Sequence, residues 1–223
     1  MGGTRYPQLC ALARAAELVG ERWTLLVVRE LRQAPRRFGD LRARLDGLSA
    51  SVLAERLGRL EEAGLVQRRV LEPPAASAVY ELTADGHALE PALLALTRWG
   101  MRLLLPPRAR ERVDAEWLRL ALQACARRTG SPAVALRLRV RAGRTDVPLH
   151  IEGGPGGTRV VDEPSRPPDV TVTADARTAL ALVTGRLPPA AASRDRTVRI
   201  DGNPTALDHL PALFSLDPDT PDH

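Results

Sequence analysis

A chain of 223 residues, 44% apolar and 26% charged, has the profile of a soluble folded protein and the length for one large domain or two ordinary ones. Two cysteines, Cys10 and Cys125, are too few and too far apart for a disulfide framework or a metal site, and no run approaches the roughly 18 apolar residues that span a bilayer. The basic residues are all arginine and the net charge is +5, with 15 Arg against 12 acidic residues before Pro106 and 17 against 15 after, which fits a nucleic-acid partner without locating one.

Met1 to Gln8 is short and polar, unlike a signal peptide, so a reduced cytoplasmic setting is expected. Leu9 to Val19 is apolar at helical spacing through Leu9, Leu12, Ala16 and Val19, and Gly20 closes it. Arg22 to Leu31 predicts a second helix with Trp23, Leu26, Val27 and Leu31 inward, ended by Gln33-Ala34-Pro35 because proline disfavours helix in the residue before it. Phe38 to Leu45 is a short amphipathic helix, broken by Asp46-Gly47 with Leu48 filling the elbow. Ser49 sits where an N-cap belongs, and the helix that follows puts Leu53, Leu57 and Leu60 on its inner face. Ser51, Val52, Glu55, Arg56, Arg59 and Glu62 lie on its other sides, a set suited to a helix laid in a major groove. Spacing alone leaves a plain helical hairpin equally open. Val66 to Leu71 and Val79 to Leu82 then read as two strands joined by the Pro73-Pro74 loop, which describes a wing with Arg68 and Arg69 against the sugar-phosphate backbone. Thr83 caps a further helix running to about Leu105, apolar on too many sides for a single contact, so part of it is expected to bury in another subunit or domain.

The string Cys10, Gly20-Glu21-Arg22-Trp23-Thr24-Leu25-Leu26, Arg37-Phe38-Gly39-Asp40-Leu41, Leu48-Ser49, Leu53, Arg56-Leu57, Leu60-Glu61, Gly64-Leu65-Val66, Tyr80-Glu81-Leu82-Thr83, Gly86 and Trp99-Gly100 resembles the HxlR-type winged helix-turn-helix regulators, over roughly Tyr6 to Leu105. The resemblance implies a dimeric transcription regulator that binds operator DNA, with Ser49 to Ala63 as recognition helix and Val66 to Leu82 as wing. The tip departs from the family's pattern, having Pro73-Pro74 and no arginine, which puts minor-groove insertion in doubt. The resemblance also makes Cys10 a candidate redox sensor, whereas its neighbours Leu9, Ala11 and Leu12 favour a buried, structural thiol.

Beyond the Pro106-Pro107 hinge, Glu111 to Arg128 predicts a helix. Val134 to Arg141 alternates, with Arg137, Arg139 and Arg141 on one face and Leu136, Leu138 and Val140 on the other; the arginine row is expected to be a solvated sheet face rather than a nucleic-acid surface. Val147 to Ile151 and Thr158 to Val161 flank a glycine-rich turn that lacks the lysine and the following helix of a phosphate loop. Asp169 to Thr173 reads as strand, Ala174 to Leu187 as helix, Thr197 to Ile200 as strand, and Asn203-Pro204 starts a last helix through Phe214. This half is similar to the sterol-carrier-protein-like fold, in the run Pro168 to Asp175, the Gly185-Arg186-Leu187 helix end and Val198 to Pro204. That resemblance implies an apolar ligand between sheet and helices, with Leu180, Val183, Leu207, Leu210 and Phe214 as pocket candidates; close packing in an ordinary core is the commoner fate of such residues.

His87, His150, His209 and His223 show no metal-ligand spacing, and no nucleophile is tied to any of them. No enzyme, cofactor, metal or membrane contact is expected. The reading is therefore two domains: residues 1–107, an α+β winged helix-turn-helix for DNA binding and dimerisation, and residues 108–223, an α+β sterol-carrier-protein-like layer of helices on a mixed sheet. Arg36, Arg37, Arg68 and Arg69 would hold phosphates of an operator duplex, while Ser49, Ser51, Val52, Arg56 and Arg59 face base edges. The alternative is a lipid or small-molecule carrier whose first domain only dimerises.

Overall fold

A computed structural model of the chain describes residues 6–72, 77–104, 111–142 and 145–215. The chain folds as two units, Met1–Leu93 and Leu94–His223. The wing tip Pro73-Pro74, the Pro106-Pro107 hinge, Leu105 and His223 lie outside the described residues.

In the first unit the elements are α1 (Ala11–Val19), α2 (Thr24–Gln33), α3 (Phe38–Arg44), α4 (Ala50–Glu62), β1 (Val66–Val70), β2 (Ala78–Leu82), α5 (Ala84–His87) and the start of α6 (Glu90–Gly100). The expected apolar periods build one core: Val27, Val28 and Leu31 of α2, Leu41 of α3, and Leu53, Leu57 and Leu60 of α4 are all buried, with Leu45 and Leu48 filling the elbow. Gly47 makes that elbow at φ +86, and the Trp23 ring lies 3.8 Å from where a Cβ on it would stand. Ser49 caps α4 by accepting from the Val52 amide at 3.3 Å. β1 and β2 pair antiparallel, Arg68 opposite Tyr80. Arg36 adds a third rung, its amide donating to the Tyr80 carbonyl at 2.9 Å and its carbonyl accepting from the Tyr80 amide at 2.8 Å.

Three expectations for this region are corrected. The long helix from Thr83 is two, α5 and α6, because Pro91 has no amide to donate and its ring would collide with the carbonyl four residues back, at His87. Gly86 anchors the short first piece: a Cβ there would stand 2.1 Å from the Leu65 carbonyl oxygen. The second helix begins at Thr24 rather than Arg22, since Trp23 takes a left-handed backbone at φ +80. Leu9, Leu12 and Leu26, expected inward, are exposed, and Cys10 with them.

The second unit holds α7 (Ala115–Cys125), β3 (Ala135–Ala142), β4 (Thr145–Gly154), β5 (Gly157–Val161), β6 (Val170–Asp175), α8 (Ala176–Val183), α9 (Pro189–Ala192), β7 (Arg199–Gly202) and α10 (Leu210–Leu213), with a 3-10 turn at Pro204–His209. Its sheet runs β5-β4-β3-β6-β7; β3 and β6 are parallel and the other pairs antiparallel, a mixed sheet. Alternation sorts the faces: Leu136, Leu138, Val140, Leu149, Ile151, Val170 and Val172 enter one core with Leu118, Leu122, Leu182, Val183, Leu207 and Phe214 from the helical segments. Helix boundaries are tighter than the sequence suggests because side chains cap them. Asp114 starts α7 by accepting from the Glu116 amide at 2.9 Å, and Asp175 starts α8 by accepting from the Thr178 amide at 2.7 Å, so Ala174 belongs to β6, which ends at Asp175. The last helix is the 3-10 turn capped by Asn203, then a single α turn, and Phe214 leaves it to bridge Ala126.

Candidate nucleic-acid interface

α4 turns Leu53, Leu57 and Leu60 into the core, which leaves Ala50, Ser51, Ala54, Glu55, Glu61 and Glu62 exposed. Of the residues expected to read bases, Ser49 is engaged as the cap, and its Oγ lies 3.1 Å from that of the exposed Ser51. Val52 is half-buried against the core. Arg56 and Arg59 flank the exposed stripe, and carboxylates hold both. Arg56 meets Glu21 at 3.1 Å and Glu55 at 3.5 Å; Arg59 meets Glu21 at 3.1 Å and Glu55 at 3.6 Å. Two guanidiniums and two carboxylates thus form a neutral square on the side of α4. The Arg56 side chain is only 11% exposed against 29% for Arg59, so more of Arg59 meets solvent.

Glu21 enters this square through the turn between α1 and α2, where the Thr24 amide donates to the Glu21 carbonyl at 3.1 Å and Trp23 sits in its left-handed conformation. A non-glycine residue in that region carries strain of order 1–3 kcal/mol, which the surrounding packing must offset. Glu21 belongs to the Gly20 to Leu26 motif, and nothing local in the sequence marks its role; the same holds of Ala50 and Ala54, small groups on the outward face.

The four arginines expected on phosphates divide in two. Arg37, at the start of α3, and Arg68, on β1, are exposed and carry no ion pair among the described residues. Arg69 follows Arg68 and so points to the opposite face of the hairpin, where it is clamped by Glu81 with N–O distances of 2.9 to 3.1 Å. That contact raises the Arg69 guanidinium pKa and, with a hydrogen bond from Gln67, holds the Glu81 carboxyl below its ordinary value. Arg36 donates from Nε to the Glu30 carbonyl at 2.8 Å. Beneath it, the carboxylate of Glu30 is 1% exposed and accepts from Arg29 at 2.7 and 3.0 Å and from Arg44. A buried acid in α2 is the second feature sequence reasoning missed, although Glu30 falls directly before inward-facing Leu31.

In the second unit Val183, Leu207, Leu210 and Phe214 are buried and Leu180 half-buried, all on the side of the sheet that the helices cover. Cys125 is buried too, and that burial pushes its thiol up to about 11, against the opposing charge of Arg98, so it is protonated at neutral pH. Cys10 is exposed, and Arg14, one turn on, is paired with Glu17 at 3.2 Å. Among the described residues no group of three or more His, Cys, Asp or Glu is placed to hold a metal ion, and no helix is long and apolar enough to cross a membrane.

Two known families match successive stretches of the chain. Residues 18–107 match the HxlR-like helix-turn-helix family, and residues 115–215 match the SCP-2 sterol transfer family. The HTH-type transcriptional regulator YvaP of Bacillus subtilis is 36% identical over 93 residues, covering 42% of this chain and 86% of YvaP. YodB, an HTH-type transcriptional regulator of the same organism, is 32% identical over 106 residues, covering 48% of this chain and 92% of YodB. The match to the Mycobacterium tuberculosis regulator Rv3095 is 42% identical over 97 residues, 44% of this chain, and spans only 61% of that protein. Among solved structures, the reduced form of YodB from B. subtilis aligns with a TM-score of 0.40 at 30% identity, covering 45% of this chain and 100% of YodB. The chain therefore belongs to the HxlR-like helix-turn-helix family, and joins to that module a helix-covered mixed sheet of the SCP-2 sterol transfer kind.

Proposed function

We propose that this protein is a homodimeric, repressor-like transcription regulator that binds double-stranded operator DNA in the cytoplasm through residues 1–107, and that residues 108–223 accept an apolar small molecule that sets its affinity. The observation that carries the reading is α4, anchored on one side by three buried leucines and bare on the other at Ser51, Ala54 and Glu55. Family relatives named as transcriptional regulators support it. On this reading Arg37 and Arg68 take phosphates directly, while Arg36 and Arg69 act from behind their internal contacts. Ser49, Ser51 and Val52 face base edges, and the Ala54 methyl suits a thymine methyl. Arg59 reaches DNA by exchanging Glu21 and Glu55 for guanine or phosphate, an exchange that costs little because exposed ion pairs are worth about 0–1 kcal/mol. Arg56, with less of its side chain in solvent, makes the same exchange at a higher cost.

Dimerisation is supported by apolar side chains left in solvent: Leu9, Leu12, Leu18 and Leu26 in the first unit, and Leu96, Trp99 and Leu103 in the second. Two α4 helices about one DNA turn apart would read a pseudo-palindrome. A ligand seated among Leu180, Val183, Leu207, Leu210 and Phe214 shifts that spacing in proportion to its preference for one arrangement. Cys10, exposed ahead of α1, is the candidate oxidant sensor.

Protection of DNA upstream of the protein's own gene from cleavage tests the reading. Arg37→Ala and Arg68→Ala are each expected to weaken binding about tenfold, by similar factors on every sequence, as loss of a charge-assisted phosphate contact requires. Unaltered binding in both variants removes the proposed surface. Glu21→Gln opens the square and leaves a net positive charge on α4; affinity is expected to rise several-fold at low salt, with a change in unfolding free energy within about 1 kcal/mol. Weaker binding would mean that Glu21 holds the arginines in reading position rather than competing with DNA for them.

The match to a sterol transfer family favours a second reading, in which the protein carries a lipid and the first unit only dimerises. Such a carrier would take up a fluorescent fatty acid and show no saturable, salt-sensitive binding to its promoter.

A further inference from the structure

The helices cover one face of the second sheet, and the opposite face holds a depression of about 340 Å³ lined by Arg137, Arg139, Asp146, Pro148 and His150. Strand register builds it: Arg137 of β3 lies directly opposite His150 of β4, and Arg139 directly opposite Pro148. On the other side of β3 the same two arginines face Thr171 and Thr173 of β6, which are hydroxyls and carry no charge. Arg137 is half-buried, and its contact is with a neutral acceptor, its Nε donating to His150 Nδ1 at 3.4 Å. Arg139 has no ion pair among the described residues.

The neighbouring acids are occupied elsewhere. Glu152 accepts from the amide and hydroxyl of Ser165 and pairs with Arg159 at 3.0 Å; Asp162 holds Arg119; Asp175 caps α8; Asp201 pairs with Arg199. Asp146 at the rim is the one carboxylate of the lining, so two guanidiniums face it and the depression stays positive. Arg119, Arg159, Arg166 and Arg199 of this unit have carboxylate partners, while Arg141 and Arg177 donate to the backbone carbonyls of Thr197 and Glu111. A half-buried guanidinium left without one is costly unless something else supplies the negative charge.

We propose that the open face of this sheet binds a small organic oxyanion, a carboxylate or phosphate monoester, held by Arg137 and Arg139 with His150 as a third donor. Arginines two residues apart on one strand face sit about 7 Å apart, which lets both guanidiniums close on one oxyanion group in the forked geometry that arginine offers. The volume falls at the small end of the roughly 300–1,000 Å³ found for small-molecule sites. Burial, then the charges of Arg137 and Arg119, push the His150 pKa down against the opposing Glu152 and Asp162, which favours a neutral imidazole; with Nδ1 accepting from Arg137, the proton of that imidazole is on Nε2, the atom proposed to donate.

The test is isothermal titration of the full-length protein with benzoate, phenyl phosphate and inorganic phosphate, alongside the ring resonances of His150. Saturable binding of benzoate or phenyl phosphate, with His150 shifts in proportion and at least tenfold weakening in Arg139→Ala, is the expected result. Arg139 is exposed and supports no core contact, so that variant separates lost binding from lost folding, and Arg199→Ala serves as a control that should bind unchanged. Preference for benzoate identifies a carboxylate site, and preference for phenyl phosphate a phosphate ester site. No binding of either, binding unaffected by Arg139→Ala, or weakening of promoter DNA rather than of the small anions would overturn the proposal.

Discussion

Glu30→Ala is expected to lower the unfolding free energy of the first unit by about 3–5 kcal/mol, the cost of breaking a buried ion network from one side. Among the described residues Glu30 is the most deeply buried charge of the helix-turn-helix, and its carboxylate pairs with both Arg29 and Arg44 while its carbonyl accepts from Arg36. Removing it takes away the buried carboxylate that two arginines, 19% and 22% exposed, share. Urea unfolding of the full chain followed at the three tryptophans reads the loss, two of them at Trp99 and Trp117 in the second unit serving as internal reference. The double change Glu30→Leu with Arg44→Leu is expected to recover most of the stability, because a buried pair replaced by apolar groups of like volume is often neutral or better. A loss below about 1 kcal/mol for Glu30→Ala would mean that water reaches the network and that its burial is not what holds α2 against α3.

The steepness of DNA binding against salt is the second large effect, and its value tells which arginines touch phosphate. If Arg37 and Arg68 alone do so, a dimer makes four contacts, and the slope of log affinity against log salt is about −3.6, or roughly a hundredfold loss between 50 and 200 mM. If Arg36 and Arg69 join them the slope is about −7 and the loss roughly 10⁴-fold. The shallower slope is expected, because Glu81 already neutralises Arg69 on the far face of the hairpin and Arg36 is turned toward Glu30. A slope shallower by about 1.8 in Arg68→Ala, which removes one contact from each protomer, would locate the charge on the wing; a slope near zero would dismiss the duplex as partner.

How far these features were legible depends on whether they are local. The α3-turn-α4 pair could be read because a 3.6-residue period, a Gly47 turn and a Ser49 cap are all matters of a few residues along one strand of sequence. The sheet of the second unit was legible for the same reason, as alternation names the buried face of each strand. Pairings across long separations were not. Nothing in the period of α4 says that Glu21, thirty-eight residues before Arg59, closes on it, and nothing in α2 says that Glu30 turns inward to meet Arg44. His150 likewise becomes the neighbour of Arg137 only once the register of β3 and β4 is fixed; the arginine row is solvated as expected at Arg139 and Arg141 and half-buried at Arg137. Pro91 was a local signal overlooked, and it alone would have divided the long helix. Cys10 and its neighbours misled in the other direction: Leu9 and Leu12 are apolar, yet both are exposed.

The two reciprocal bonds between Arg36 and Tyr80 carry a mechanical result. They rivet the segment that launches α3 to the middle of the wing, so the hairpin is no free flap. A phosphate pulling on Arg68, directly across the strand from Tyr80, tugs through a single hydrogen-bonded rung on the residue next to Arg37. Grip at the wing and posture of the helix pair thus travel together, as the two ends of one stiff lever.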